Sequence, residues 1–343
     1  MSASDEALYY LFVAGAIVAS TYFGLTWGTN KATDYASIKH YMLNESNLHG
    51  YDKPKIWIHS KFEYNSRKWL CFHSRSSYDL NQPYIHLTIR SIIEHCGDDF
   101  HICLIDDNTF SKLLENWDID LNTVAEPMRT RYREIGMLEL VHQFGGLVLP
   151  NSFVCLKSLK DVYYTGTEGG RPFVCESVNR TTDMLTQKGI NMFNPSSYIM
   201  GAQKHNSVVK EYIQYLKHIN QNLHFSSDQE FIGQTSQWCV HRIRGGDMNL
   251  VGGETVGIKT ASGKPVLLDN LMEEEYLALS PYLVGIYIPE DELLARTKYQ
   301  WFAVMPVANI LQTNTILSKY IKMAMVDGLE KVEKTEHISH SSI

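Results

Sequence analysis

At one place in this chain, apolar positions at helical spacing run up to a double glycine and give way to strand-type runs. Across residues 133–159, Ile135, Leu138, Val141 and Phe144, with Met137 and Leu140 beside them, recur with the period of an amphipathic helix. Gly145-Gly146 ends the helix, because glycine readily adopts the left-handed backbone that closes a helix C-terminus. Leu147-Val148-Leu149 is a short apolar run of strand type, Pro150-Asn151-Ser152 a polar break, and residues 153–156 a second apolar run. The pattern predicts helix, double-glycine turn, buried strand, polar turn and continuing strand.

Upstream, residues 53–59 (KPKIWIH) predict a short strand after a proline. Residues 83–95 predict a helix with Ile85, Ile89, Ile92 and Ile93 on one face and Pro83 at its start. Residues 100–105 (FHICLI) predict a strand, and strand, helix and strand in this order make a parallel βαβ unit. Asp106, Asp107 and Asn108 follow that strand, where they fit the cap of a helix over 109–116 and also supply carboxylates at a strand end.

Downstream, a strand is predicted at 172–176. A helix is predicted over 207–221, with Val208, Val209, Ile213 and Leu216 on its buried face. Asp228 and Glu230 precede a helix over 231–238, where acids suit the positive end of the dipole. Residues 244–263 are glycine-rich without a Gly-Lys-Ser/Thr ending, so they read as a hairpin and turns rather than a phosphate loop. A strand at 282–288, an acidic helix start after Pro289, an apolar cluster at 301–307 and an amphipathic helix over 309–325 complete the pattern.

Residues 7–27, bounded by Ala7 and Trp27, carry no charge. At about 1.5 Å per residue their length matches the hydrocarbon core of a bilayer. Tyr9, Tyr10, Tyr22 and Trp27 near the ends suit the membrane interface. The acidic start lacks the basic region of a cleaved signal peptide, so a retained single-pass helix with the bilayer as partner is expected. Gly15 and Ala19, like Ala16 and Ser20, would let a second membrane helix pack closely. Lys31 and Lys39 after the helix favour a cytoplasmic domain, while the sequons at Asn44 and Asn179 matter only on the other side. The predicted organisation is an anchor over 1–28, a stalk over 29–52, an α/β domain over 53–265, a helical extension packed on it over 266–330, and a disordered tail over 331–343.

Composition narrows the function. With 44% hydrophobic and 20% charged residues the chain can build a sizeable core. A net charge of −7 without a long basic cluster argues against nucleic-acid binding. The six cysteines show neither CxxC nor the spacing of a disulfide framework, and Cys103, Cys155 and Cys175 sit in apolar runs as small buried hydrophobes. His95, Cys96, His101 and Cys103 match no zinc finger or ribbon.

The central pattern resembles the sugar-transferase families of capsular-polysaccharide synthesis and the yeast-type initiating mannosyltransferases, which have a GT-A nucleotide-sugar fold. Their signature is an aspartate, two residues, an arginine, a helix, Gly-Gly, an apolar pair and Leu-Asp-x-Asp. The resemblance spans about residues 53–240, including the opening strand Pro54-Lys55-Ile56-Trp57, similar to the family's Pro-Lys-Ile-Ile-Trp, and residues 194–203, similar to the family segment in which an asparagine precedes a strand and a small-residue turn. It implies an α/β fold with a mixed sheet flanked by helices, and a divalent cation bridging carboxylates to a sugar diphosphate. Gly145, Gly146 and Leu149 match the signature. The metal-ligand positions, however, fall on Pro150 and Ser152, the arginine on Met137, and the aspartate on Glu134.

The frame is kept and its chemistry is stripped. The first expectation is therefore a catalytically degenerate, membrane-anchored scaffold needing no cofactor. It would partner other membrane or structural proteins, in an enzyme complex or in the membrane-associated shell of a large virus. The second is a working glycosyltransferase with a rearranged site. It would use Asp106, Asp107, Glu134 and Asp228 with Arg131 or Arg133, taking a nucleotide sugar with Mn or Mg, or with basic residues alone. An unrelated membrane-bound binding protein is the third.

Overall fold

Ile56, Trp57 and Ile58 are all fully buried in β1 (Lys55–His59), as a strand covered on both faces of a parallel sheet requires. The computed structural model describes residues 53–60, 82–178, 192–222, 225 and 228–325. The predicted anchor, stalk and tail lie outside these residues, as do Cys71 and both sequons. No helix among the described residues is long and apolar enough to cross a membrane.

Helix α1 (Pro83–Cys96) precedes β2 (His101–Ile105), which pairs parallel with β1 from Lys55↔His101 to His59↔Ile105. The predicted βαβ order is present. After the short α2 (Phe110–Leu113), helix α3 (Met128–Phe144) leads through the double glycine into β3 (Gly146–Val148), parallel to the other edge of β1. Both glycines have positive φ, +72° and +101°. A Cβ on Gly146 would run into the Lys55 carbonyl, so only glycine lets the chain enter the sheet this close to β1. The Trp57 indole N–H donates to the Gly145 carbonyl at 3.0 Å, securing the turn from the strand side.

β4 (Phe153–Cys155), α4 (Lys160–Gly166), β5 (Phe173–Val178) and β6 (Phe193–Ala202) follow. Helices α5 (Ser207–Asn222) and α6 (Asp228–Gly245) then lead to β7 (Asn249–Val251). The main sheet runs β2-β1-β3-β6-β5-β7, with β6 antiparallel to both neighbours and the other pairings parallel. It is a mixed sheet flanked by helices. Beyond it come α7 (Leu268–Met272), β8 (Gly285–Tyr287), α8 (Glu290–Ala295), α9 (Gln300–Ala303), α10 (Val307–Gln312) and a helix over 316–325.

Three local expectations are corrected. Phe153–Cys155 does not continue β3: the turn closed by Phe153 N–H to the Pro150 carbonyl takes it out of the main sheet, and it pairs antiparallel with β8. The glycine-rich stretch does not open as a hairpin. Helix α6 runs on to Gly245, and β7 joins the sheet edge parallel to β5. The amphipathic helix expected over 309–325 is two helices, because Thr315 takes the Ser318 N–H on its hydroxyl and so caps a new one.

Candidate functional site

β2 and β3 lie on opposite sides of β1: the chain passes from β1 to β2 on one side and then crosses over to β3 on the other. In open α/β sheets ligands bind beyond the carboxyl ends of strands at such a switch point. Here those ends carry His59 after β1, Asp106 and Asp107 after β2, and Pro150-Asn151-Ser152 after β3.

Asp107 is held from two sides. Arg133 of α3 donates Nε–H to Oδ1 at 2.7 Å and Nη2–H to Oδ2 at 2.6 Å, a bidentate grip, while His59 Nε2 lies 2.9 Å from Oδ1. Burial pushes the Asp107 carboxyl up. The hydrogen bonds from Arg133 and His59, with their charges, outweigh it and hold the group well below the usual carboxylate range. Arg133 also reaches Glu126 at 3.3 Å. The His59 ring stacks on Phe110 at 5.8 Å between centroids. Phe110 fits there because Gly136 of α3 faces it, where a Cβ would come within 2.7 Å of the ring. A mid-helix glycine, which costs about 1 kcal/mol against alanine, thus makes room for the platform under His59. Asp106 turns the other way. Its Oδ1 accepts from the Thr109 hydroxyl at 2.7 Å and from Asn108 N–H at 3.1 Å, a local turn before α2.

One turn of α3 sends its neighbours elsewhere. Arg131 donates to Asp228 at 2.7 Å and lies over the Phe231 ring at 4.3 Å. Glu134 accepts from the Ser197 hydroxyl of β6 at 2.5 Å and from the Tyr212 hydroxyl of α5 at 3.4 Å. Burial raises the Glu134 pKa against those two bonds and the Arg131 charge. Met137 is buried.

The corner after β3 is bound into the scaffold. Ser152 is 1% exposed; its hydroxyl donates to the Ile288 carbonyl at 2.8 Å, and its own carbonyl accepts Ile288 N–H at 3.0 Å. The Asn151 carbonyl accepts from the Thr88 hydroxyl of α1 at 2.5 Å. Pro150 has no side-chain donor atom. The divalent cation that the resemblance implies does not fit this corner, since one ligand position offers nothing and the other spends its oxygen on a backbone carbonyl. Among the described residues no three His, Cys, Asp or Glu side chains gather as metal ligands.

The structure therefore separates the four acids singled out from the sequence. Asp107 belongs to the Arg133–His59 cluster, Asp106 to a turn, Glu134 to β6 and α5, and Asp228 to Arg131. Capping fails for both, since the helix start at Thr109 has no side-chain cap, Asp106 closes a turn ahead of it, and the partners of Asp107 lie across the fold. His59, Glu126, Ser197 and Tyr212 were not legible as partners. The available signal was His59 itself, a polar residue closing the apolar run Ile56-Trp57-Ile58.

No protein-family model and no curated protein sequence matches this chain. Among solved structures, it is similar to the PaToxG glycosyltransferase at 12% identity over 56% of this chain and 70% of that one, with a TM-score of 0.33. The glycosyltransferase GlyE of Streptococcus pneumoniae TIGR4 is similar at 11% identity over 84% of this chain and 64% of its own, TM-score 0.34. The galactosyltransferase LgtC, with donor and acceptor sugar analogs, is similar at 10% identity over 59% and 75%, TM-score 0.32. Similarity at this level assigns no family.

Proposed function

We propose that this chain is a glycosyltransferase-like protein whose metal and donor site has been given over to structural contacts. On this reading it serves as a scaffold or structural protein held in the bilayer by residues 7–27. Its partners are other membrane or structural proteins, in an enzyme complex or in the membrane-associated shell of a large virus, with the flanking lysines favouring a cytoplasmic domain.

The observation that carries the reading is Ser152. It stands where the resemblance places a metal carboxylate, and its hydroxyl is buried against Ile288. Both basic groups placed to stand in for the family's arginine are also engaged, Arg133 with Asp107 and Arg131 with Asp228. The test is calorimetric titration of the full chain in detergent with a panel of nucleotide sugars, each with and without Mn or Mg. A folded sample that gives no binding heat is the expected result. Metal-dependent binding of any donor would overturn the reading.

One observation favours a second reading, a metal-independent transferase. Glu134 occupies the family's aspartate position and is a buried carboxyl held by Ser197 and Tyr212. Metal-independent binding of a nucleotide sugar, abolished by Glu134→Ala in a folded protein, is the result that would select it.

A further inference from the structure

Two of the described cysteines meet. Cys96 ends α1 and Cys155 ends β4; both are fully buried thiols with their sulfurs 3.6 Å apart. By contrast, burial pushes the Cys103 and Cys239 thiols up to about 12, the behaviour of inert core cysteines. The 59 positions between Cys96 and Cys155 hide the pair from any reading of local spacing.

We infer that Cys96 and Cys155 are a disulfide-forming pair, joined as a cystine in an oxidising medium and held as hydrogen-bonded thiols in a reducing one. Helix α1 and strand β4 already hold the two chains together, since Cys155 N–H donates to the Ser91 hydroxyl of α1 at 2.9 Å. A bond of about 2.05 Å then requires the sulfurs to close by side-chain rotation and a small shift of the helix end.

The polarity of the pair assigns the roles. The one S–H of Cys155 has two acceptors in reach, the Lys157 carbonyl at 3.1 Å and the Cys96 sulfur at 3.6 Å, and serves one of them at a time. Turned to Cys96, it lowers that thiol against burial, with the Leu159 backbone helping, while burial raises Cys155. Cys96 is thus the attacking sulfur. As a thiolate it attacks a small-molecule disulfide such as glutathione disulfide, forming a mixed disulfide and releasing one glutathione thiolate. Cys155, losing its proton, then attacks the Cys96 sulfur and releases the second glutathione. Two protein thiols are oxidised and one glutathione disulfide is reduced to two thiols. Because both sulfurs are buried, exchange proceeds during folding or in local openings of the α1–β4 contact. The bond would close a loop containing β2, α3, β3 and the corner after β3, and so restrict the unfolded chain.

The test uses the full chain in detergent, equilibrated in glutathione buffers from reduced to oxidised, both folded and during refolding from denaturant. Samples are acid-quenched, alkylated, digested and mapped by mass spectrometry. The expected result is one linked peptide pair, Cys96 with Cys155, lighter by two hydrogens, with Cys103, Cys175 and Cys239 alkylated. The thermal midpoint should rise on oxidation, and Cys155→Ala should leave Cys96 as a glutathione adduct. Recovery of Cys96 and Cys155 as separate alkylated thiols from protein refolded in oxidised buffer overturns the inference, as does linkage of either to another cysteine.

Discussion

Arg133 grips both oxygens of Asp107, at 2.7 and 2.6 Å, and His59 takes the same carboxylate from the end of the neighbouring strand. A carboxylate at the end of a parallel strand is the usual raw material of a metal site, and here it ties α3 to the sheet instead. Removing one partner of a fully buried pair costs about 3–5 kcal/mol. Asp107 keeps some contact with water, so Arg133→Met is expected to cost ~2 kcal/mol. Arg133→Lys should recover only part of it, because an ammonium cannot hold both oxygens. Urea unfolding midpoints of the three proteins check this order.

Acid should loosen the same tie. The folded pKa of Asp107 lies below its unfolded value near 3.8, and that of Asp269, held by Arg296 and Tyr299 at the surface, falls to about 2. A depressed folded pKa gives stability that is present above the unfolded pKa and lost as pH falls through the folded one. Stability is therefore expected to be flat above about pH 5 on this account and to drop from about pH 4 downward, by the linkage of these two groups. Unfolding midpoints measured from pH 2 to 6 should show the drop. The double variant Asp107→Asn, Asp269→Asn should show a shallower one from a lower plateau.

Glu134 has the opposite sign. Burial raises its folded pKa, so the folded state binds the proton more tightly than the unfolded state does. Its contribution is favourable below the unfolded pKa near 4.5 and is lost as pH rises through the folded value. Glutamine keeps an oxygen for the Ser197 and Tyr212 hydroxyls and carries no charge. Glu134→Gln is expected to match the parent near pH 4 and to be the more stable protein at pH 8. Parent and variant with parallel pH–stability curves would refute the assignment.

The frame of the fold could be read from the chain because its signals are local. Helical spacing up to Phe144, the double glycine and the apolar Leu147-Val148 run each act within a few residues, and β1, α1 and β2 followed from the same logic. What escaped was non-local. The partner of β4 is β8, and Ser152 meets Ile288 across 136 positions, so nothing near residue 152 signals a second sheet. Asp107 and Asp106 look alike in sequence because an acid before a short helix suits a cap and an ion pair equally well. Only the arrival of Arg133 from α3 separates them. That positions 150 and 152 carry no carboxylate was legible as residue types. The lock of this corner onto the C-terminal segment was not.

The double glycine should be unequal under substitution. A Cβ on Gly146 meets backbone atoms of Lys55, which cannot move without parting β1 from β3. On Gly145 the nearest atom is Lys204 N at 2.9 Å, in a turn outside the sheet. Both sites add the cost of a positive φ, about 1–3 kcal/mol for a non-glycine residue. Gly145→Ala is expected to fold with a lowered midpoint, and Gly146→Ala to be recovered mainly as insoluble protein. Soluble yield and thermal midpoint measure the difference; equal behaviour would mean the Lys55 contact does not constrain the turn.

Placing carboxylates at positions 150 and 152 should not create a metal site. Aspartate at position 152 would stand where a hydroxyl of 1% exposure donates to the Ile288 carbonyl. A carboxylate has no proton to donate there, and its charge would face a carbonyl oxygen in a dry environment. Losing the hydrogen bond alone, as in Ser152→Ala, is expected to cost about 1 kcal/mol. Ser152→Asp adds the penalty of a buried unpaired charge and should cost at least ~3 kcal/mol, with the loss easing at low pH as the new group takes up a proton. Aspartate at position 150 is half-exposed and should be tolerated. The Pro150→Asp, Ser152→Asp double variant is therefore expected to be destabilised and to bind Mn no better than the parent in calorimetry. That result would show that the packing of β4 and β8 around the corner, and not two side chains alone, keeps a cation out. Micromolar Mn binding by a folded double variant would show that the two side chains alone decide.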